Sequence, residues 1–326
     1  MKQILTTLLW GACLLTACNG QPIGENTSMT THVYAQKDGK ELKLDVYLDS
    51  TALKSGETHP VFIFSFGGGW EQGKREDGAA MLDHFASSGY IGVGIDYRLG
   101  IRQLKEEGVN VLDSTQFASS YSKAITMGVE DLFDATRYII EHAAEWNADT
   151  SRIVICGSSA GATNSLTAEY LICNQHPIAT SRLPKGFNYA AVIPIAGGVW
   201  LKDTDTLVWQ QKPCPVLAYH GTDDQLVPYD HLVLPKRAFG GFGPLYYMPQ
   251  LQQMQVPHLF HTYLKGDHLV SAMHNSPTAR TEMLTTLERI LDHHAPLSLT
   301  ITEEHYGKTP TFNNFFNAMG NLGISK

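Results

Sequence analysis

The strongest constraint in this chain is a junction. The apolar run Arg152-Ile153-Val154-Ile155-Cys156 passes without a break into Gly157-Ser158-Ser159-Ala160-Gly161, and a helical pattern follows. A strand apolar along its whole length needs cover on both faces, so it belongs inside a sheet flanked by helices. The Gly-x-Ser-x-Gly turn throws the central serine hydroxyl out at the strand end, on a sharp and strained corner. Side chains at Gly157 and Gly161 would strike the neighbouring strand and helix. Ser159 therefore reads as a nucleophile, with the Ala160 N–H at the helix start aimed at any oxyanion formed there. Ser158 sits one residue early for the nucleophile and reads instead as a substrate-binding neighbour.

The rest of the chain repeats the theme. Short runs rich in β-branched and aromatic residues predict strands over 31–36, 42–48, 61–66, 91–96, 152–156, 190–195, 215–220 and 260–264. Helical periodicity predicts helices over 78–88, 122–146, 160–172 and 277–293, the longest with Val129, Leu132, Phe133, Thr136, Ile139 and Ile140 on one face. Strands alternating with helices give one α/β domain with a mostly parallel, eight-stranded sheet and helices on both faces. The chain of 326 residues is long enough to bury such a core. Asp38-Gly39 centres a tight turn, so the first two strands form an antiparallel edge hairpin. Residues 99–121 and 230–258 are long connections, the second carrying the aromatic, glycine-rich stretch "FGGFGPLYYMPQ". The expected organisation is a signal over 1–17, a tether over 18–30, the α/β domain over 31–296 and an extension over 297–326.

Charge and cysteine usage remove several classes. The net charge is −8 and no Lys/Arg cluster occurs, so the footprint for nucleic acid is missing. No Cys/His spacing fits a zinc site, and neither metal nor cofactor is expected. At the N-terminus, Lys2 precedes an apolar stretch over 4–15 that is too short for a permanent membrane span. It ends in Leu15-Thr16-Ala17-Cys18, which resembles the lipobox of bacterial lipoproteins. That resemblance implies an acylated Cys18, membrane contact through lipid alone, and a place in the cell envelope outside the cytoplasm. Of the five cysteines, Cys13 would leave with the signal and Cys18 would carry lipid. Cys156, Cys173 and Cys214 remain, an odd number that implies no disulfide framework.

A nucleophilic serine needs a base and a carboxylate to orient it. The stretch "CPVLAYHGTDDQLVP" over 214–228 is a strand that breaks into a turn with two aspartates, Asp223 and Asp224. The stretch "LFHTYLKGDH" over 259–268 is a strand that ends in Gly-Asp-His. Both groups fall just past the C-terminal ends of strands, where α/β sheets place their sites. His268 competes with His220, His261 and His274, and its place after a strand end and a glycine favours it. Asp267 reads as a solvated turn residue.

A second glycine motif, "SFGGGWEQGKR" over 65–75, is open to two readings. Gly68-x-x-x-x-Gly73-Lys74 nearly spells a phosphate-binding loop, and the same glycines could aim N–H groups at an oxyanion. Arg75 stands where a phosphate loop needs Ser or Thr, and Trp70 and Glu71 put bulk and negative charge where phosphate would lie. Glu71 and Lys74 read as surface charges, and Asp96 and Arg98 as scaffold residues in an internal ion pair.

Taken in order, "FGGGW", "DYRLG", "GSSAGA", "HGTDDQLVP" and "GDH" resemble the esterase/lipase branch of the α/β-hydrolases near hormone-sensitive lipase, over roughly residues 40–290. The resemblance implies the order Ser, Asp, His and places the acid at Asp224 within the pattern H-G-T-x-D-x-x-V-P. It also implies that Gly67, Gly68 and Gly69 complete the oxyanion hole with Ala160, and that Trp70 lines the acyl or alcohol pocket or caps the core. Phe66 departs from the family, which has a histidine there, so packing must do what a hydrogen bond does elsewhere. The implied activity is hydrolysis of a small-molecule or glycan ester, with acetyl or other short acyl esters of carbohydrate as the expected class. A serine peptidase on the same fold and a non-catalytic binding protein are the alternatives. The first usually carries a β-propeller ahead of the hydrolase, and a hairpin beginning by residue 31 leaves no room for one after Cys18. The second usually lacks a member of the triad, and a candidate for each is present here.

Overall fold

The computed structural model describes residues 24–53, 56–234 and 238–304. The chain opens with β1 (Thr27–Lys37) and β2 (Lys40–Asp49), paired antiparallel across Asp38 and Gly39. Both turn residues have positive φ, 50° and 73°, which suits the right-handed twist of a two-residue hairpin. There follow β3 (His59–Ser65), α1 (Ala79–Ala86), β4 (Ile91–Ile95), α2 (Gly100–Glu106), α3 (Phe117–Glu141) and α4 (Ala143–Trp146). Next come β5 (Ala148–Ser158), α5 (Ala160–Cys173), α6 (Pro177–Thr180), β6 (Ala191–Ile195), β7 (Val199–Lys202) and β8 (Val216–Gly221). The described chain closes with β9 (His231–Val233), β10 (Phe239–Phe242), α7 (Pro244–Gln253), β11 (His258–Leu264), α8 (Pro277–Leu291) and β12 (Ser298–Glu304).

Nine strands form one sheet in the order β1-β2-β4-β3-β5-β6-β8-β11-β12. Only the β1–β2 and β2–β4 pairs are antiparallel; from β4 onward every neighbour is parallel. Every residue of β4, β6 and β8 is buried, as expected of strands covered on both faces. Helix α3 packs on α5, and α1 packs against α8. The expected apolar face of α3 is the one that goes inside, with Ile140 half-buried at its margin. Among the described residues no helix is long and apolar enough to cross a membrane.

The organisation differs from expectation in four places. The sheet has nine strands rather than eight, because β12 lies within the stretch read as a trailing extension and pairs in parallel with β11. Its side chains are mostly exposed, so this edge strand lacks the apolar run that marks the others. At the other end β1 begins at Thr27, inside the expected tether. The connection 99–121 folds into α2 and the first turn of α3. The connection 230–258 supplies β9, β10 and α7, and β10 lies between β7 and β9 in a second, three-stranded sheet. There Trp200 stacks on Phe239, ring centroids 5.3 Å apart. A Cβ on Gly197 would stand 2.4 Å from Ala162 Cβ, so the small sheet rises beside the first turn of α5. Cys13 and Cys18 lie outside the described residues.

Candidate active site

The site is built at the C-terminal ends of the parallel strands. Ser159 stands between β5 and α5 with φ 51° and ψ −113°, an unfavourable conformation for a residue with a side chain. Its N–H donates to Ile195 O at the end of β6 (2.8 Å) and its carbonyl accepts from Thr163 N on α5 (2.9 Å). Sterics complete the corner. A Cβ on Gly157 would lie 2.2 Å from Gly161 C, and one on Gly161 would lie 2.1 Å from Ser65 O. The two motif glycines are therefore there for close approach: the elbow is pressed against its own helix and against the end of β3.

His268 begins a short 3-10 helix, His268–Asn275, capped by Asp267, whose carboxylate accepts from Leu269 N at 2.9 Å. Ser159 Oγ lies 2.7 Å from His268 Nε2, and His268 Nδ1 lies 2.8 Å from Asp224 Oδ2. The other oxygen of Asp224 accepts from Leu226 N (2.9 Å) and Val227 N (3.0 Å). Burial opposes the ionised form of Asp224, but the charge of His268 and hydrogen bonds from His220 and His268 outweigh it. The carboxyl is held well below its ordinary range. Burial likewise disfavours the His268 imidazolium, and the facing Asp224 charge and hydrogen bond reverse that, raising His268 above the ordinary imidazole value. An ionised Asp224 keeps a proton on Nδ1, which leaves Nε2 as the acceptor facing the Ser159 hydroxyl.

The rival residues lie elsewhere. Asp223 is exposed and accepts from its neighbour Thr222 Oγ1 at 2.9 Å. His261 bonds Glu282 at 2.9 Å, and the half-buried His274 bonds Ser271 O at 2.9 Å. His220 supports the acid: Nε2 is 3.3 Å from Asp224 Oδ2 and 3.1 Å from Val227 O. Sequence reasoning treated it only as a competitor, although its place four residues ahead of Asp224, at the end of the strand leading into that turn, could have suggested contact. Ser158 is buried and donates to Ser271 O at 2.8 Å, so its hydroxyl braces the segment that carries His268. The sequence reading places Ser158 beside the substrate; the contact its hydroxyl makes in the structure is this internal one.

The glycine loop leaves β3 beside the elbow, with Ser65 in register with Gly157. A Cβ on Gly67 would meet Ser158 O at 3.2 Å and Ser159 Cβ at 3.3 Å, so this residue abuts the elbow. Gly68 and Gly69 have φ of 109° and 64°, and Gly68 O accepts from Glu71 N and Gln72 N at 3.1 Å each. Among the described residues the N–H groups of Gly67, Gly68 and Ala160 have no protein acceptor. Phe66 is 2% exposed and stacks on Tyr97, ring centroids 4.3 Å apart. The Tyr97 hydroxyl donates to Phe66 O at 2.8 Å. A hydrogen bond thus does fix this loop, but it comes from a tyrosine on the far side of β4, in the "DYR" stretch. Arg75, at the loop's end, bridges Asp45 (2.8 Å) and Asp96 (3.1 Å).

Asp96 and Arg98 do not pair with each other. Arg98 instead meets Glu130 and Asp131 on α3. Lys74 is exposed, and Glu71 pairs with Lys105 at 2.7 Å. Trp70 is buried, its ring edge-on to Tyr121. Cys156, Cys173 and Cys214 are free and buried, and burial pushes the Cys156 thiol well above its ordinary value. Among the described residues no group of three or more His, Cys, Asp or Glu is arranged to hold a metal ion.

Known proteins carry the same architecture. Residues 101–180 match the BD-FAE family. The chain is 32% identical over 120 residues to Esterase LipI of Mycobacterium tuberculosis, a stretch covering 36% of this chain and 31% of that protein. It therefore spans about a third of that relative's length. Among solved structures, the thermophilic esterase Est2 of the planctomycete Thermogutta terrifontis superposes with a TM-score of 0.57 at 20% identity. That match covers 82% of this chain and 93% of the esterase. The same esterase with propionate bound gives 0.55 at 20% identity, covering 82% and 95%. At such identity the likeness is one of fold: the chain has the α/β-hydrolase fold of these esterases.

Proposed function

We propose that the protein is a serine carboxylic ester hydrolase of the branch near hormone-sensitive lipase. The observation that carries the reading is the unbroken relay Ser159 Oγ–His268 Nε2 (2.7 Å) and His268 Nδ1–Asp224 (2.8 Å), mounted on the strained elbow. His268 takes the proton of Ser159 as its oxygen attacks the ester carbonyl, and Asp224 stabilises the imidazolium that results. The negative charge on the former carbonyl oxygen falls to the N–H groups of Ala160 and of Gly67–Gly69, each worth about 3 kcal/mol in comparable sites. His268 then returns the proton to the departing alkoxide. Water, deprotonated by the same nitrogen, releases the acyl group from Ser159.

The substrate we assign is a short acyl ester, with acetyl groups on carbohydrate as the preferred class. The propionate bound to the Thermogutta esterase supports a short acyl group. The carbohydrate rests on the envelope address that acylated Cys18 would confer. Turnover of p-nitrophenyl acetate or butyrate by the purified protein tests the reaction. Absence of turnover of any ester would sink it, whether or not a fluorophosphonate labels Ser159. A peptide panel separates ester from peptide hydrolysis, and acetylated oligosaccharides test the class. Cys18→Ser tests the address, since a variant that is still processed and still pellets with membranes would remove the lipid anchor.

A further inference from the structure

The proposed oxyanion hole has two halves, Ala160 on α5 and Gly67–Gly69 on the loop after β3. Something must set one against the other. Trp70 directly follows Gly69 and has φ 58°, a left-handed conformation that a bulky aromatic residue adopts only where its surroundings overdetermine it. Three contacts do so. Trp70 O accepts from Ile101 N (3.1 Å) and Arg102 N (3.2 Å) at the start of α2. The ring stands edge-on to Tyr121 at 6.0 Å and 88°. The indole Nε1–H donates to Asn164 Oδ1 at 2.9 Å, across 94 residues of sequence, with Trp70 7% and Asn164 1% exposed.

Of these contacts only the last reaches the helix that carries the nucleophile. Asn164 lies on α5 five residues after Ser159, on the same rigid element as the Ala160 N–H. An indole can only donate, which fixes the carboxamide with its oxygen toward Trp70. The space for that carboxamide comes from Gly128 on α3, where a Cβ would stand 2.5 Å from Asn164 Nδ2. The amide is thus confined from behind, and it holds the indole of the residue that directly follows Gly69.

We infer that Asn164 is a positioning residue for the oxyanion hole: through the Trp70 indole it references the glycine-loop N–H groups to the helix that carries Ser159. The inference rests on the hydrolase reading above. It departs from a view of Trp70 as pocket wall, because the indole is spent on an internal bond.

Asn164→Leu and Trp70→Phe delete the same bond from opposite ends. Each should lower kcat on p-nitrophenyl butyrate about 10- to 100-fold, less than outright removal of an oxyanion donor. KM should change little, and the double variant should be no worse than the poorer single. The rate of Ser159 phosphonylation by a fluorophosphonate should fall in parallel. Unchanged kcat in both singles would overturn the assignment. So would fully additive losses, or a rise in KM at constant kcat, which would return Trp70 to the pocket wall. Should Asn164→Leu fail to fold, Trp70→Phe decides alone. A wild type that turns over no ester but labels at Ser159 defeats the hydrolase reading instead, and the labelling rates then decide the role of Asn164. If the wild type neither turns over nor labels, the hydrolase reading falls and this assignment with it.

Discussion

The elbow around Ser159 and the glycine loop around Gly68 stand side by side at the end of β3, yet they are held in opposite ways. The elbow is held by what is missing. Gly157 and Gly161 let backbone meet backbone, within the turn and against the end of β3, and the Ser159 N–H is tied to Ile195 O on β6. The loop is held by what reaches in from afar. Tyr97 grips Phe66 O, Asp45 and Asp96 grip Arg75, and Asn164 grips Trp70. A motif of the first kind is set by backbone meeting backbone; one of the second kind borrows its geometry from side chains scattered along the chain.

Substitutions can break that contrast, and the largest effects belong to the elbow serine and the two residues relayed to it. Ser159→Ala or His268→Ala should cost about 10⁶ in kcat, as removal of one member of such a unit does, while the circular dichroism spectrum stays native. Retained turnover in either would move the nucleophile or the base. Asp224→Asn should cost about 10⁴ by allowing the wrong imidazole tautomer. Asp223→Asn, on an exposed turn, should stay within about twofold. Reversal of that order, read from steady-state kinetics, would shift the acid by one position.

The loop should respond more softly. Phe66→Ala should destabilise the fold by about 3–5 kcal/mol in a denaturant titration, since the ring is buried between Tyr97 and Gly73. It should lower kcat while Ser159 still labels. Tyr97→Phe keeps the stacking and loses one hydrogen bond, worth about 1 kcal/mol, so a roughly fivefold loss in kcat is expected. If Tyr97→Phe matched Phe66→Ala, the hydrogen bond rather than the packing would be what holds the loop.

The pH profile sharpens the comparison without disturbing either backbone. In the proposed mechanism the working base is neutral His268; burial lowers its pKa, but the facing Asp224 outweighs that and raises it. Activity should therefore fall as the solution is acidified through a pH above the ordinary imidazole range of about 6.5. Removing the charge with Asp224→Asn should move that acid limb to lower pH in the residual activity. A limb that stays in place would mean that another group titrates.

What could be read from the sequence followed from short range. The junction at 152–161 carries its own strand, its own glycines and its own helix, so the sharp turn at Ser159 was legible there and the parallel α/β sheet with it. Asp38-Gly39 defined its hairpin for the same reason. The fully apolar strands were legible because burial on both faces leaves no polar alternation. The strand β12 was not, because an edge strand shows its side chains to water and loses that signature. Nor were α7 and the small sheet, whose aromatic and glycine residues gain meaning only when Trp200 and Phe239 face each other. At the site, motif order brought Asp224 and His268 forward, but sequence alone could not show that His220 braces the acid or that Ser158 is spent on Ser271. It could not show that the Tyr97 hydroxyl bonds Phe66 O at the start of the glycine loop. Those roles depend on distances between residues far apart in the chain, and only the packing of α3, α5 and the strand ends sets them. The sequence determined which residues are candidates to react, because that candidacy rests on residue type and local backbone. Tertiary structure decided how they are held, because orientation is a property of contacts that no short stretch contains.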